Sequence, residues 1–395
     1  MKRHARALEA ELAKLDRGLL RRRRATLTTP DAAAAWPSVT VDGRPAVDFC
    51  SNDYLGLARH PDIAAAMAAA ALRHGAGSGA SHLVAGHGIE HALLEEELAD
   101  FTGRGRALLF STGYMANLAV IGALAGRGEQ VLLDRLCHAS LIDAALLCRA
   151  RLRRFAHADA AAAARVLEAS AAATALVATD GVFSMDGDCA PLGELARASR
   201  AHHAWLVVDD AHGLGVLGTT GRGLLEQCGL GEEAVPVLVG TLGKAFGTFG
   251  AFAAGAPEVI EFLLQRARPY AYTTALPQPV AAATRQALRI AARESWRRER
   301  VLSLARRFAR AAAELDVPVM ASTTPIQPVL LGSAAQALRA QEKLLQAGFW
   351  VAAIRPPTVA AGSARLRVTL SAAHSEDQVD ALVEVLGRIC ARVSA

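Results

Sequence analysis

Val207-Val208-Asp209-Asp210-Ala211-His212-Gly213 and, further on, Gly240-Thr241-Leu242-Gly243-Lys244-Ala245-Phe246-Gly247 decide how this chain is read. The first is an apolar run that ends in two carboxylates and a histidine. The second sets a lysine in a glycine-rich turn directly after the apolar Val237-Leu238-Val239. Such a pair suits pyridoxal 5'-phosphate (PLP), which needs a lysine to hold it as a Schiff base and a carboxylate to keep its ring nitrogen protonated. The protonated ring is an electron sink. A lysine packed between glycines is desolvated, which lowers its pKa and favours the nucleophilic amine. The rival reading, a phosphate loop, requires Gly-x-x-x-x-Gly-Lys-Ser/Thr, and Ala245 stands where the hydroxyl residue is needed.

The chain of 395 residues, of which 52% are hydrophobic, is long enough for two domains and a large buried core. That apolar fraction does not make a membrane protein, because Arg, Asp or Glu interrupts every run before ~18 residues. Residues 61–72 and 160–176 therefore read as Ala-rich segments of a soluble protein. Met1-Lys2-Arg3-His4 carries charge without an apolar stretch behind it, so no secretory signal is expected. Six cysteines without a Cys-x-x-Cys pair argue against a disulfide framework and against a bound metal, and for reduced thiols in the cytoplasm. The net charge of +5 is modest, but arginine clusters at Arg21–Arg24, at Arg149, Arg151, Arg153 and Arg154, and from Arg293 to Arg310. The last set reads as a solvated helix face. No aromatic-rich or recognisable nucleic-acid motif accompanies the charge, so no nucleic-acid partner is expected. A phosphate-rich small molecule such as a coenzyme A ester would use the arginines equally well.

Along the chain, 1–57 reads as an amphipathic helix, a Thr/Pro break at 26–30 and short strands around 37–50. Between 58 and 280, short apolar strands at 106–110, 130–134, 175–179, 205–209, 236–240 and 250–254 alternate with helical patterns. Strands that apolar are buried on both faces of a mainly parallel sheet. Several run straight into polar residues (Ser111-Thr112-Gly113, Asp134, Asp180-Gly181, Asp209-Asp210), and open α/β sheets bind ligands at those carboxyl ends. From 281 to 395 the pattern is a long helix (roughly 280–315), then strand, helix and strand, as in a smaller α+β domain.

Other segments add candidates. Ser111-Thr112-Gly113-Tyr114-Met115-Ala116-Asn117 follows a strand and opens a helix, whose first N–H groups suit a phosphate; a plain N-cap has the same geometry. His138 could stack on a cofactor ring or be structural. His212, three residues after Asp209, shares the site, and Ser184 lies on a loop aimed at the same strand ends. Gly75-Ala76-Gly77-Ser78-Gly79-Ala80-Ser81-His82 mimics a dinucleotide fingerprint but follows a helical segment, so a flexible loop lining an active site suits it better. Arg365 and Arg367 share one face of a probable strand. They fit a bidentate carboxylate contact or a salt-bridged edge strand about equally.

From about Ser51 to His374 the chain resembles the α-oxoamine synthase family of fold-type I PLP enzymes. The resemblance is carried by Ser51-Asn52-Asp53-Tyr54-Leu55-Gly56-Leu57, Glu95-Glu96-Glu97-Leu98, Asp180-Gly181-Val182-Phe183-Ser184-Met185-Asp186-Gly187, Val208-Asp209-Asp210-Ala211-His212-Gly213 and Gly243-Lys244. It implies an α/β large domain with a mainly parallel seven-stranded sheet flanked by helices, and a smaller α+β C-terminal domain. It also implies that Lys244 carries the Schiff base, Asp209 pairs with the pyridinium nitrogen, His138 stacks on the ring, and Ser184 and His212 sit near the phenolic oxygen. Gly113, Tyr114 and Thr241 would hold the phosphate, joined by Thr273 or Thr274 from the neighbouring subunit of a homodimer. Arg367 would bind the amino-acid carboxylate with Asn52, Arg355 and Thr358 in the substrate site, and one of Arg21, Arg22, Arg23 and Arg24 would reach the acyl thioester.

Within the family, Asp134-Arg135-Leu136-Cys137-His138-Ala139-Ser140-Leu141, Arg154-Phe155-Ala156-His157, Ile326-Gln327-Pro328 and Ala353-Ile354-Arg355-Pro356-Pro357-Thr358-Val359 look like the member that joins L-alanine to a pimeloyl thioester. The implied alternatives are glycine with acetyl- or succinyl-CoA, serine with palmitoyl-CoA, or a protein that keeps the fold without catalysis. Three positions depart from the family: Asp180 replaces a glutamate, Cys137 a serine, and Ala360-Ala361-Gly362 lacks a proline. None removes a group the chemistry needs.

Overall fold

β1 (Leu27–Thr28), β2 (Ser38–Val41) and β3 (Arg44–Asp48) follow a first helix, Lys2–Arg17, in a computed structural model that describes residues 2–29, 36–170 and 175–391. The expected Thr/Pro break at 26–30 ends at Pro30, and the Ala-rich segment 160–176 contains 171–174; both parts lie outside the described residues. The next seven strands are β4 (Arg106–Phe110), β5 (Gln130–Asp134), β6 (Arg151–Phe155), β7 (Ala175–Asp180), β8 (Trp205–Asp209), β9 (Val237–Thr241) and β10 (Ala251–Gly255). They form one sheet in the order β4-β10-β9-β8-β7-β5-β6. Every pair from β9 to β6 is parallel, while β10 runs antiparallel to both β9 and β4. The mainly parallel seven-stranded sheet that the family resemblance implies is therefore present.

One of its strands was not anticipated. β6 carries Arg151, Arg153 and Arg154 on the open edge of the sheet, where only Phe155 is buried. An edge strand keeps the backbone pairing of a strand without its apolar signature, and charged side chains there block pairing with other chains. The long helix expected over 280–315 is two helices, Gln278–Arg293 and Trp296–Glu314. Glu294 leaves helical geometry (φ −106°, ψ 59°), and the Ser295 carbonyl accepts the amides of Arg298 and Glu299 to start the second helix.

The parallel register sets the carboxyl ends of β5, β7, β8 and β9 on one edge: Asp180 pairs with Asp209, and Asp209 with Val239. Helix Gly113–Leu124 packs on the sheet and buries Ala116, Asn117, Ala119, Val120 and Ile121. Fully burying a side chain such as Ile121 is worth about 1.5–3 kcal/mol. Asn117 alone among the five has a polar side chain to satisfy.

The chain divides into two compact units, Asp53–Ser184 with Asp188–Glu299, and Met1–Asn52 with Met185–Gly187 and Arg300–Ala395. The seven-stranded sheet belongs to the first. In the second, β11 (Ile326–Gly332), β13 (Ala352–Ile354) and β14 (Ala364–Thr369) form an antiparallel sheet in the order β11-β14-β13. β12 (Phe349–Trp350) pairs in parallel with β3, extending β1-β2-β3 to four strands. The His374 ring stacks on Phe49 at 4.0 Å, with Nε2 donating to the Asp48 carbonyl and Nδ1 accepting the Ser371 amide. Burial pushes its pKa down to about 4, so it is a neutral structural histidine.

Candidate active site

Lys244 lies in the turn that follows β9. Thr241 anchors the turn by donating from Oγ1 to the Gly250 carbonyl at 3.2 Å while accepting the Gly243 amide. Gly247 has φ +66°, and a Cβ there would lie 2.3 Å from the Ala58 amide nitrogen, so the turn requires glycine. Lys244 is half-buried, and its Nζ lies 2.8 Å from Nε2 of the buried His212. His212 Nδ1 lies 2.6 Å from the hydroxyl of Tyr54, which is fully buried. An ammonium can only donate. While Lys244 is protonated, Nε2 of His212 therefore accepts, Nδ1 carries the ring proton, and Tyr54 accepts it.

Asp209 ends β8 and is buried. Its Oδ2 accepts from Asn117 Nδ2 at 2.6 Å and its Oδ1 from the Ala211 amide at 3.1 Å. Asn117 Nδ2 also donates to Ser140 Oγ at 2.8 Å, and Ser140 Oγ lies 2.7 Å from His138 Nδ1. A polar chain thus runs from His138 through Ser140 and Asn117 to Asp209. The His138 amide donates to Asp180 Oδ2 at 2.7 Å, so the shorter residue at that position still pins the histidine's backbone. Burial, and then the nearby Asp209 carboxylate, hold the Asp180 carboxyl well above its ordinary range.

One more histidine ties two site loops together. His157 donates from Nδ1 to Asp134 Oδ1 (3.0 Å) and from Nε2 to Asp188 Oδ2 (2.8 Å). Asp134 also accepts the amides of Leu136 and Ala158. Burial alone would lower this imidazole's pKa, but hydrogen bonds and charge from Asp134 and Asp188 outweigh it and push the value up to about 10. The clasp joins the loop leading to His138 with the loop, after β7, that holds Ser184.

Gly113 and Tyr114 are the first two residues of their helix, and Thr112 Oγ1 accepts the Met115 amide as the N-cap. A Cβ on Gly113 would meet nothing within 4 Å, so the backbone there faces open space. The Tyr114 ring is exposed and its hydroxyl donates to Asp143, which leaves the backbone rather than the phenol for an anion. Thr274 forms an isolated bridge with Ser81. Among the described residues, neither Thr273 nor Thr274 makes a side-chain hydrogen bond to another predicted site residue.

In the second unit, Arg365 pairs with Asp186 and donates to the Ser363 carbonyl, so the salt-bridge reading belongs to Arg365. Arg367, buried on β14, donates from Nη1 to Thr369 Oγ1 at 2.8 Å and to Asn52 Oδ1 at 3.1 Å, both neutral acceptors. A cleft of about 970 Å³ in this unit is lined by Arg21, Arg22, Arg23, Arg24, Arg355 and Thr358. Arg22 donates to Thr358 at 2.8 Å, Arg21 pairs with Asp16 at 2.7 Å, and Arg355 donates to the Leu19 carbonyl. Burial, and then Arg22, lower the Arg355 pKa.

Sequence reasoning assigned no role to Tyr54, Asn117, Ser140 or His157. Asn117 left a signal, as a lone amide in an otherwise apolar helical stretch that must find a partner when buried. Tyr54, Ser140 and His157 acquire their partners only through the tertiary fold.

The family model described as aminotransferase class I and II matches residues 44–386. An 8-amino-7-oxononanoate synthase from Methylococcus capsulatus is 62% identical over 348 residues, covering 88% of this chain and 90% of that one. Among solved structures, serine palmitoyltransferase from S. paucimobilis, which holds PLP joined to myriocin, superimposes with a TM-score of 0.91 at 31% identity over 98% of both chains. The 8-amino-7-oxononanoate synthase of Francisella tularensis gives 0.78 at 30% identity, covering 89% of this chain and 99% of that one.

Proposed function

The chain belongs to the aminotransferase class I and II family, and on that premise we propose that it condenses L-alanine with a pimeloyl thioester, releasing carbon dioxide and the thiol, to give 8-amino-7-oxononanoate for biotin synthesis. The cofactor is pyridoxal 5'-phosphate. The residues fit it: a half-buried amine on Lys244, a buried carboxylate on Asp209, helix-start amides at Gly113 and Tyr114 beside open space, and an exposed ring on His138. When bound, PLP supplies an electron sink for charge that develops at the substrate Cα.

The chain's own groups supply the rest. Lys244 Nζ would hold the cofactor, and its free amine would take the substrate Cα proton as general base. His212 Nε2, 2.8 Å from Nζ, keeps the amine oriented. Asp209, fixed by Asn117, keeps the ring nitrogen protonated. Gly113, Tyr114 and Thr241 hold the phosphate, with Thr273 and Thr274 supplied by a second copy of the chain in a homodimer. Ser184 and His212 would lie towards the phenolic oxygen of the cofactor. Arg367 binds the substrate carboxylate through a bidentate contact. Arg21–Arg24, Arg355 and Thr358 take the anionic end of the acyl donor. Six free thiols suit a reducing compartment, and the cytoplasm is the proposed location. Among the described residues no helix is long and apolar enough to cross a membrane.

The observation that carries the chemistry is Lys244 Nζ at 2.8 Å from His212 Nε2 in the unit where Asp209 ends β8. The choice of substrates rests on 62% identity to a synthase of that name, against 31% to the serine-using neighbour. Purified protein assayed with L-alanine, glycine and L-serine against pimeloyl- and palmitoyl-CoA tests it. Alanine with pimeloyl-CoA should give the highest kcat/KM and a product of the expected mass. A higher value for serine with palmitoyl-CoA would transfer the chain to the other chemistry.

A further inference from the structure

We propose that His82, His87 and His91 form a binding site for a transition-metal dication of zinc-like chemistry. The cysteine spacing led the sequence reading to expect no metal, but these three ligands are imidazoles. All come from one short stretch: a π-helical turn His82–Gly86, the residue after it, and the first turn of helix Ile89–Thr102. Their candidate ligand atoms all lie within 4.8 Å of one another.

The ring-centre spacing matches that of a tetrahedral centre. Three imidazoles bound at zinc–nitrogen distances place their nitrogens about 3.3 Å apart and their ring centres about 5.2 Å apart. Here Nδ1 of His82 and Nδ1 of His87 are 3.0 Å apart. The ring centres are separated by 5.2 Å (His82–His87), 5.0 Å (His82–His91) and 5.6 Å (His87–His91). Stacking on Tyr270 at 4.8 Å fixes the His82 plane. His91 Nε2 donates to the Leu276 carbonyl at 2.6 Å. That outer contact is the kind that orients a metal-bound histidine. It leaves Nδ1 as the ligand atom, which accepts the Gly88 amide at 2.9 Å in the metal-free form and gives that bond up to the ion.

Each ring has one nitrogen that can act as the ligand atom while the other keeps the ring proton. The one proton held between His82 and His87 moves to the far nitrogen of its own ring, so binding releases no net proton. His87 is exposed and leaves the fourth position to water. Neutral imidazoles select zinc, nickel, copper or cobalt over magnesium and calcium. Helix capping by His91 and ring stacking by His82 explain each residue singly, but neither requires three nitrogens to converge. The ion would brace the segment that holds Thr273 and Thr274. The Leu276 carbonyl also accepts from Ser78 Oγ at 2.7 Å, and the Ala275 amide donates to the Ala80 carbonyl at 2.9 Å.

The test uses untagged, PLP-loaded protein stripped with a chelator and titrated calorimetrically with zinc chloride and, separately, magnesium chloride. Cobalt binding is followed in parallel by visible absorption. One zinc per chain should bind at micromolar affinity or tighter without magnesium competing, and cobalt should give the intense bands of a four-coordinate centre. Losing one ligand in His87→Ala, at an exposed position, should weaken zinc about 10–100-fold or more. No stoichiometric zinc binding, or equal affinity in wild type and His87→Ala, overturns the proposal.

Discussion

Asn117 Nδ2 lies 2.6 Å from Asp209 Oδ2, so the amide of a buried helix holds the carboxylate that ends a central strand. A hydrogen bond to a charged group is worth about 1.5–3 kcal/mol. Asn117→Leu removes it and the link to Ser140 together. PLP affinity and kcat should each fall roughly 10- to 100-fold, measured by cofactor titration and steady-state rates. Wild-type values for both would remove Asn117 from the site.

Lys244→Ala takes away both the attachment point and the base. Turnover should drop by about 10²–10⁴-fold or more, with loss of the visible absorbance that depends on the lysine. A variant turning over at the normal rate would place the base elsewhere.

Tyr54→Phe removes the oxygen beside His212 Nδ1 and with it this buried hydrogen bond. The loss of that hydrogen bond, about 0.5–1.5 kcal/mol, should appear as a kcat reduced roughly 2- to 12-fold and as a shift in its pH profile, with KM for the acyl donor unchanged. An unaltered pH profile would show that the tyrosine serves packing alone.

The His157 clasp should make stability depend on pH in a defined direction. Its folded pKa, about 10, lies above the ordinary value of 6.5. The stabilisation is therefore full below pH 6.5, declines as pH rises, and is gone above about 10. Melting temperatures of wild type and His157→Asn should differ most near pH 6 and converge towards pH 10. A gap that stays constant over that range would mean that the imidazole is neutral.

Much of the sheet was legible because a strand buried on both faces must be apolar along its length. Six of its seven strands announce themselves in that way. β6 does not, because Arg151, Arg153 and Arg154 face solvent at an edge and carry only charge. The break at Glu294–Ser295 escaped notice because no Pro or Gly marks it. In the site, Lys244, Asp209 and His212 were legible because their chemistry is tied to strand ends and a glycine turn. Tyr54, Ser140 and His157 were not, since nothing local distinguishes a tyrosine that meets a histidine from one that fills a core. The histidines at 82, 87 and 91 follow no familiar metal-ligand spacing, and their rings come together only through the turn at His82–Gly86 and the helix start after it.

The pairing of β3 with β12 also sets an order of events during synthesis. Val47 donates to the Gly348 carbonyl and Phe49 to that of Trp350, about 300 positions along the chain. At ribosomal speeds of about 5–20 residues per second, β3 waits roughly 15–60 s for its partner. Throughout that interval its outer edge is an open template for any passing strand. The unit with the seven-stranded sheet, by contrast, is already complete at Glu299. Truncation from the carboxyl end should therefore expose the β3 edge before it harms the seven-stranded sheet.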